Sequence, residues 1–433
     1  MRQTFRNVVR GYDYLVIGAG ILGLTTAYYI KKLNPSADVC IVDMLADAGQ
    51  GNTARSVGGF RRGIFTSYVN RVLVETSIDY YMDVEKSGEY SFGMRFIGYL
   101  ILLTESRLRE IGSYVESFVK QGKVKLLGKE ELEKRLGMKT GFSGDEEAEM
   151  LEMEDIKYGM FAPECGQMDV EKLIAYYKNL CIDSGIEIIF NKRVDRLVLS
   201  PKTPLGIPDE PRVWQSKKIS GVETDGEVIT AENLVVAAGV WTPELLDPLG
   251  VDCLVKPKKR QLAVVRTSTS ELRDLLTRGG LNNENTLPMI FFPKGLYLVP
   301  RREESCFWIG LTDDIGRRFG IDMEPEERFY YDHAHPMLAK YFREFANARP
   351  ENMWAGCYAM NMLDGNPVIF RFLNCTVVTG ASGSGAMKAD AIGRIAASTT
   401  LGKRTAILYN MIPFDVSLLD IQNRRVDKEY LIL

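Results

Sequence analysis

The run Tyr12-Asp13-Tyr14-Leu15-Val16-Ile17 breaks at Gly18-Ala19-Gly20-Ile21-Leu22-Gly23 and resumes as an apolar helical stretch. It then reaches a second apolar run, Val39-Cys40-Ile41-Val42, that ends in Asp43. Strand, G-x-G-x-x-G turn, helix, strand and terminal acid together make one βαβ unit of the dinucleotide-binding kind. Each glycine has its own task. Gly18 permits the tight turn, Gly20 lets the backbone approach a pyrophosphate, and Gly23 lets the helix pack closely on the strand. Phosphates would sit at the helix N-terminus, where free N–H groups and the dipole favour an anion. Asp43 is placed to accept a hydrogen bond from a ribose hydroxyl.

A chain of 433 residues accommodates two domains with sizeable cores. A net charge of −3 carries no nucleic-acid footprint, which turns attention to small-molecule chemistry. No apolar run approaches the roughly 20 residues that span a bilayer. Met1 to Arg10 is basic without the apolar core of a signal peptide, so a cytoplasmic address is expected. The cysteines (Cys40, Cys165, Cys181, Cys253, Cys306, Cys357, Cys375) are odd in number and lack a C-x-x-C pair, and they read as reduced thiols. His333 and His335 lie on different faces of a helix, so neither a metal site nor a histidine-based triad is expected.

Beyond the first unit, Gly49 to Gly63 is small, polar and cationic, and suits close approach to phosphates and a flat ring. Helical periodicity runs from about Ser67 to Lys86, a buried strand from Phe96 to Leu103, and helices over Glu105 to Gln121 and Lys129 to Leu136. Asp169 reads as the N-cap of an amphipathic helix from Val170 to Ser184. Strands follow over Gly185 to Phe190 and Val194 to Leu199, then a proline-rich excursion from Pro201 to Pro211. The apolar run Leu234 to Ala238 stops at Gly239, as a buried parallel strand does on meeting a ligand. From Cys253 the pattern becomes antiparallel, with strands at Lys259–Arg266, Met289–Phe292, Leu296–Pro300 and Cys306–Gly310, closed by a helical segment from about Glu324 to Arg349. Cys375 to Gly380 returns to a buried strand, followed by the turn Ala381-Ser382-Gly383-Ser384-Gly385 and a helix over Met387 to Thr399.

The opening motif, the loop Arg55-Ser56 to Gly58-Gly59-Phe60-Arg61, Val236-Ala237-Ala238-Gly239-Val240-Trp241, Asp364-Gly365-Asn366-Pro367 and Gly380 to Gly385 occur in this order. In that order the chain resembles the D-amino-acid-oxidase-type flavoproteins, in the branch of sarcosine oxidase, glycine oxidase and archaeal dye-linked L-proline dehydrogenases. The resemblance spans nearly all of the chain except its last twenty or so residues. It implies an α/β fold: a Rossmann-type FAD-binding domain with an inserted, mainly antiparallel-sheet (α+β) substrate domain. The expected boundaries are 1–85, 155–250 and 353–410 for the FAD-binding domain, 86–154 and 251–352 for the substrate domain, and 411–433 for a tail.

FAD is favoured over NAD on the residues as well. The second glycine turn opens another helix and can aim N–H groups at the electron-rich end of a reduced isoalloxazine, and there is no second full G-x-G-x-x-G for a nicotinamide. The expected cofactor contacts are Gly18, Gly20, Ile21, Leu22, Gly23, Asp43, Met44, Asn52, Thr53, Arg55, Ser56, Gly58, Gly59, Arg61, Val194, Ala237, Ala238, Gly239, Trp241, Gly356, Cys357, Gly383, Ser384, Gly385, Ala386, Met387 and Lys388. An α-amino acid needs a cation for its carboxylate, and Arg61, Arg62 and Lys388 flank the two flavin loops.

The resemblance implies that Arg61 lies against the ring, that Met387 or Lys388 holds substrate carboxylate, and that Tyr297 closes the pocket. It places Trp308 and Thr312 where sarcosine oxidases carry an oxygen-activating lysine and a histidine, and an indole cannot stabilise developing superoxide. It also matches Cys357 to a cysteine that sarcosine oxidases join to flavin, which leaves non-covalent FAD and a link through Cys357 both open. The implied activity is an FAD-dependent dehydrogenase of a small or secondary amino acid, L-proline before sarcosine or glycine-like amines. Electrons would pass to a quinone, dye or redox protein. The alternatives are an oxidase reducing O2 to H2O2, a 2-hydroxy-acid dehydrogenase, or a flavoprotein subunit of an oligomer or larger complex. A hydrolase is excluded because Gly380-Ala381-Ser382-Gly383-Ser384 lacks the last glycine of G-x-S-x-G. The tail has a charged middle, Arg424 to Glu429, and an apolar end, Tyr430-Leu431-Ile432-Leu433, suited to docking over the active site or into a partner.

Overall fold

The computed structural model describes residues 8–312 and 316–431. Residues 1–7 of the basic N-terminal stretch, and Ile432 and Leu433 of the apolar end, lie outside the described residues. The opening unit forms β1 (Val8–Ile17), α1 (Ile21–Leu33) and β2 (Val39–Val42). Parallel partners extend β1 and β2 into a sheet ordered Val368–Phe372, Cys375–Thr379, Glu227–Val236, β1, β2, Glu187–Ile189. The strand Val368–Phe372 is antiparallel, as is the pair Arg196–Pro201 and Lys217–Thr224 that branches from Glu227–Val236. The central strands are buried on both faces, which explains why they read as unbroken apolar runs.

One face of that sheet carries α1, the helix Val170–Asp183 and the helix Ala389–Thr400, with Leu24, Ala27, Ile30, Ile392 and Ile395 fully buried. A Cβ on Gly393 would lie 2.6 Å from Cβ of Thr25, so the crossing of α1 with Ala389–Thr400 is set by the absence of a side chain there. Asp390 is fully buried and gathers these helices. Its carboxylate accepts hydrogen bonds from Tyr29, from Tyr177 at 3.1 Å and from Arg394 at 2.7 Å. Burial, then the nearby Asp390 charge, push the Tyr29 and Tyr177 hydroxyls up, which keeps them protonated as donors.

After the short strand β3 (Gly59–Phe60) comes α2 (Tyr68–Ser87). Ser67 caps α2 by accepting from the Asn70 N–H at 3.4 Å, and Gly88 ends it at φ +78°. Asp169 caps Val170–Asp183 through the N–H groups of Glu171 and Lys172, as the sequence predicts.

The second sheet runs Asn352–Asn361, Val255–Arg266, Cys306–Leu311, Leu296–Arg301, Met289–Phe291, Tyr99–Thr104, Ile156–Ala162, Lys125–Gly128. It is antiparallel except where Met289–Phe291 lies parallel to Tyr99–Thr104. Two of its strands, Ile156–Ala162 and Asn352–Asn361, come from segments that the sequence boundaries give to the nucleotide domain. Tyr99–Thr104 is buried along its whole length and needs a partner on each edge, and Ile156–Ala162 supplies one. The segment expected to be helical from Glu324 to Arg349 runs as a π-helix over Phe329–Ala334 directly into the α-helix His335–Tyr341, and breaks at Phe342 (φ −131°) before the short turn Arg343–Phe345. Pro336, which has no N–H to donate, sits where the π geometry gives way to α, and His335 Nε2 bonds the Phe345 carbonyl at 2.9 Å.

Among the described residues no helix is long and apolar enough to cross a membrane, and no His, Cys, Asp or Glu cluster could hold a metal. All seven cysteines are buried and unpaired with one another. Asp390→Asn keeps the shape but leaves Arg394 without its buried counter-charge. Urea denaturation is expected to show a loss of about 3 kcal/mol.

Candidate cofactor and substrate site

The site begins where β1 ends. Gly18 takes φ +107°, and a Cβ there would lie 2.5 Å from the Ala237 carbonyl oxygen. A Cβ on Gly23 would lie 1.9 Å from the Gly18 carbonyl oxygen, closer than any side chain permits. The glycines therefore hold strand, turn and helix in contact. Gly20 is the N-cap of α1 and has no side chain to cap it, so the first-turn N–H groups face the cleft, with Ile21 N–H reaching Thr53 Oγ1 at 3.3 Å. The Asp43 carboxylate accepts from Ala19 N–H at 2.6 Å and from Leu45 N–H at 2.8 Å, which fixes the turn to the end of β2.

From this turn a cleft of ≈ 1610 Å³, solvent-facing mouth included, runs past Lys192 to Val194 and Gly239 to Trp241 toward the second glycine turn. Its wall is stitched by hydrogen bonds. Asn52 Oδ1 accepts from Cys357 N–H at 2.6 Å, Trp354 Nε1 donates to the Arg55 carbonyl at 3.2 Å, and Arg55 Nη1 donates to the Ala355 carbonyl. The length of the cleft, the cradle at Gly18 and Gly23 and the exposed helix N-terminus fit a dinucleotide cofactor. FAD would be held by the turn at one end and by the Asn52 to Ser56 loop and the Gly383 to Ala386 turn at the other.

Of the expected cofactor contacts, Gly18, Gly20, Ile21, Leu22, Asp43, Met44, Asn52, Thr53, Arg55, Ser56, Val194, Ala237, Ala238, Gly239, Trp241, Gly356, Cys357, Gly383, Gly385 and Ala386 line the cleft. Gly23, Gly58, Gly59, Arg61, Ser384, Met387 and Lys388 do not. Gly58 and Gly59 sit behind the wall, where a Cβ would meet the Met168 carbonyl oxygen at 2.1 Å and the Tyr99 hydroxyl at 2.5 Å. Met387 packs against the nucleotide-domain core.

Of the expected catalytic residues Tyr297 lines the cleft, and Gly310 opposite it makes room: a Cβ there would lie 2.1 Å from the Tyr297 ring. Trp308 stands one ring behind, edge-on to the cleft residue Trp354 at 4.9 Å and under the Arg301 guanidinium at 4.2 Å. Thr312 is the last described residue of its segment, and its N–H donates to the Gly295 carbonyl at 2.9 Å. Arg62 is neutralised by Asp79 at 2.8 Å and Glu164 at 2.9 Å, which removes it from the candidates for a substrate carboxylate.

Arg260 and Tyr358 are among the cleft residues that escaped the sequence. Arg260 is 8% exposed beside Tyr297, and its guanidinium lies 5.5 Å from the Tyr358 ring centroid. The trace that could have found Arg260 is the run Lys258-Lys259-Arg260 inside an apolar strand. Lys259 has a separate explanation, since it ties Asp322 at 2.7 Å and Glu326 at 2.8 Å. Tyr358 packs its ring where a Cβ on Gly383 would lie, 2.2 Å away, so it touches the second glycine turn. Burial pushes the hydroxyls of Tyr297 and Tyr358 up, which keeps both protonated.

Arg61 and Lys388 lie together just beyond this end of the cleft. Lys388 is 1% exposed and donates to Asn70 Oδ1 at 2.5 Å and to Ser384 Oγ at 2.7 Å. Burial first, then the Arg61 charge, bring its pKa down to about 7, against the opposing pull of Glu429 and Asp364. Burial likewise lowers Arg61, whose guanidinium lies 4.0 Å over the Phe65 ring and donates to the Leu431 carbonyl. Two basic groups thus share a poorly solvated space, where the Glu429 carboxylate favours the charged form of both.

Comparison with known proteins places these features in context. The family model described as FAD dependent oxidoreductase (DAO) matches residues 13–399. A glycine oxidase of Pseudomonas aeruginosa is 28% identical over 149 residues, which is 34% of this chain and 35% of that protein. The matches span only 15% and 35% of the first two curated relatives' own lengths. Among solved structures, L-proline dehydrogenase from P. horikoshii shares the fold with a TM-score of 0.69 at 22% identity, covering 92% of this chain and 95% of that one. Glycine oxidase from Geobacillus kaustophilus has a TM-score of 0.70 at 18% identity, covering 92% and 96%.

Two outcomes are expected. Gly23→Ala drives a Cβ into the Gly18 carbonyl, and the purified variant should retain no bound flavin by absorbance. Lys388 should make stability depend on pH. Above about 7 the folded chain leaves it neutral, whereas the unfolded chain keeps it protonated up to 10.5. Unfolding then takes up a proton, so stability rises with pH across that window, by at most about 1.4 kcal/mol per pH unit. Lys388→Met should abolish the rise in denaturation midpoint.

Proposed function

The chain belongs to the family of FAD dependent oxidoreductases matched over residues 13–399, and from that premise we propose that it oxidises the C–N bond of a small amino acid. L-proline is the first candidate and sarcosine or a glycine-like amine the next, with electrons passed to a quinone, dye or redox protein. The observation that carries the reading is the pair of cations, Arg61 and Lys388, beside the second glycine turn, with Tyr297 and Tyr358 on the adjoining cleft wall. A carboxylate set between such cations orients the carbon next to nitrogen toward the ring. The cofactor, when bound, supplies the two-electron acceptance. The substrate gives up a hydride and a proton, and the resulting imine stays cyclic or is hydrolysed by water.

The protein's part is orientation and charge. Arg260 puts a positive charge at the cleft end where the ring becomes electron-rich on reduction. The nucleotide body holds the cofactor and the second sheet shapes the substrate chamber. Thiolate chemistry at Cys357 is disfavoured, because burial raises its pKa and its Sγ lies 3.2 Å from the Asp322 carbonyl oxygen, which supports non-covalent FAD. Neither His333 nor His335 lines the cleft to serve as a base, which favours an amine over a 2-hydroxy acid as substrate.

The test is anaerobic addition of L-proline, sarcosine, glycine and 2-hydroxy acids to the FAD-loaded protein, followed by air. Bleaching by an amino acid with slow reoxidation is expected. Bleaching by hydroxy acids alone overturns the amine reading, and rapid reoxidation in air overturns the dehydrogenase reading.

A further inference from the structure

We propose that the C-terminal segment Glu429–Leu431 is a resident occupant of the carboxylate pocket beside Arg61 and Lys388, so that tail and carboxylate ligand bind there in competition. The inference rests on the reading of that pocket given above.

Arg424, its side chain 4% exposed, grips Asp364 through Nε to Oδ2 at 2.6 Å and Nη2 to Oδ1 at 2.7 Å. It also donates to the carbonyls of Pro367, Leu419 and Asn366. The following stretch is largely exposed at Arg425, Asp427 and Lys428, and the chain then turns inward. Glu429 is 6% exposed, and its carboxylate accepts from Thr66 N–H, Thr66 Oγ1, Ser67 N–H, Asn70 Nδ2 and Leu431 N–H. A buried carboxylate at the N-terminus of α2 is well solvated by donors, as an external carboxylate would be. Leu431 is 1% exposed in the apolar cluster of Tyr99 and Phe291, against which Tyr297 packs.

Three features distinguish an occupant from a fixed wall. First, the Arg61 guanidinium meets the neutral carbonyl of Leu431, a weaker partner for a buried cation than a carboxylate. Second, the tail is wired to the cleft by one polar chain. Asn70 donates to Glu429 at 3.3 Å and accepts from Lys388, which in turn donates to Ser384 in the glycine turn. Third, between the Arg424 and Glu429 anchors Arg425, Asp427 and Lys428 are exposed and Val426 packs on the core, so that releasing residues 429–431 leaves Arg424 in place. Arg61 and Lys388 do not line the open cleft, and the segment touches both, through the Leu431 carbonyl on Arg61 and through Asn70 between Glu429 and Lys388.

The experiment uses the FAD-loaded protein, whole and truncated after Lys428, with benzoate as the carboxylate probe and flavin absorbance as the signal. A tail docked in about nine molecules of ten weakens apparent affinity about tenfold, so the truncated chain should bind benzoate about tenfold more tightly. Glu429→Gln should move affinity the same way. Saturating benzoate should raise deuterium uptake of residues 429–431 in the intact protein, a readout independent of whether the truncated chain folds. Equal or weaker binding by the truncated chain, no binding by either, or unchanged uptake with benzoate bound overturns the proposal. These measurements involve no turnover. Failure of the amine-oxidation reading shows instead as flavin that no amino acid bleaches in either chain.

Discussion

The contact on which the rest of the molecule depends is backbone against backbone. The Gly18 carbonyl lies where a Cβ on Gly23 would be, 1.9 Å from it, and the Ala237 carbonyl lies 2.5 Å from where a Cβ on Gly18 would be. Three chain segments meet at one point with no side chain between them. That crowding brings β1 and the strand Glu227–Val236 to a common end, points the first turn of α1 at the cleft, and lets Asp43 reach back to Ala19. Everything placed later along the cleft is measured from that junction.

A second constraint operates at the opposite end and is electrostatic. Low-dielectric surroundings raise the cost of Arg61 and Lys388 together, and the protein answers with distributed compensation: Glu429 and Asp364 oppose the shift, and Asn70 and Ser384 solvate the ammonium. None of these neighbours comes from the same stretch of chain as the lysine except Ser384. The site is therefore assembled from α2, the second glycine turn, the Asp364 turn and the C-terminal segment at once.

This division explains what the sequence made legible. Local features carried their own signatures: the glycine turn, the apolar parallel strands, the Asp169 cap and the antiparallel strands after Cys253 each follow from a period or a backbone requirement within a few residues. Features that need two distant segments were opaque. Tyr297 is accommodated by Gly310 across a strand pair, Tyr358 by Gly383 across two sheets, and Arg260 is visible only as a charge out of place in an apolar run. The strands Ile156–Ala162 and Asn352–Asn361 join the second sheet because of edges that exist only after folding.

The tail shows the same limit in its sharpest form. As sequence, Arg424 to Glu429 is a solvated charge run, and its composition gives no sign that its two ends have opposite fates from its middle. Arg424 is buried because the Asp364 turn offers a carboxylate and two carbonyls in fork geometry. Glu429 is buried because α2 begins with unsatisfied donors that Ser67 alone does not meet. Between them Arg425, Asp427 and Lys428 remain in water while Val426 packs on the core. A segment held at two points by charge, with a largely exposed link between, can release one point without disturbing the other, and the point nearer the cations is where a small carboxylate has the same chemistry to offer.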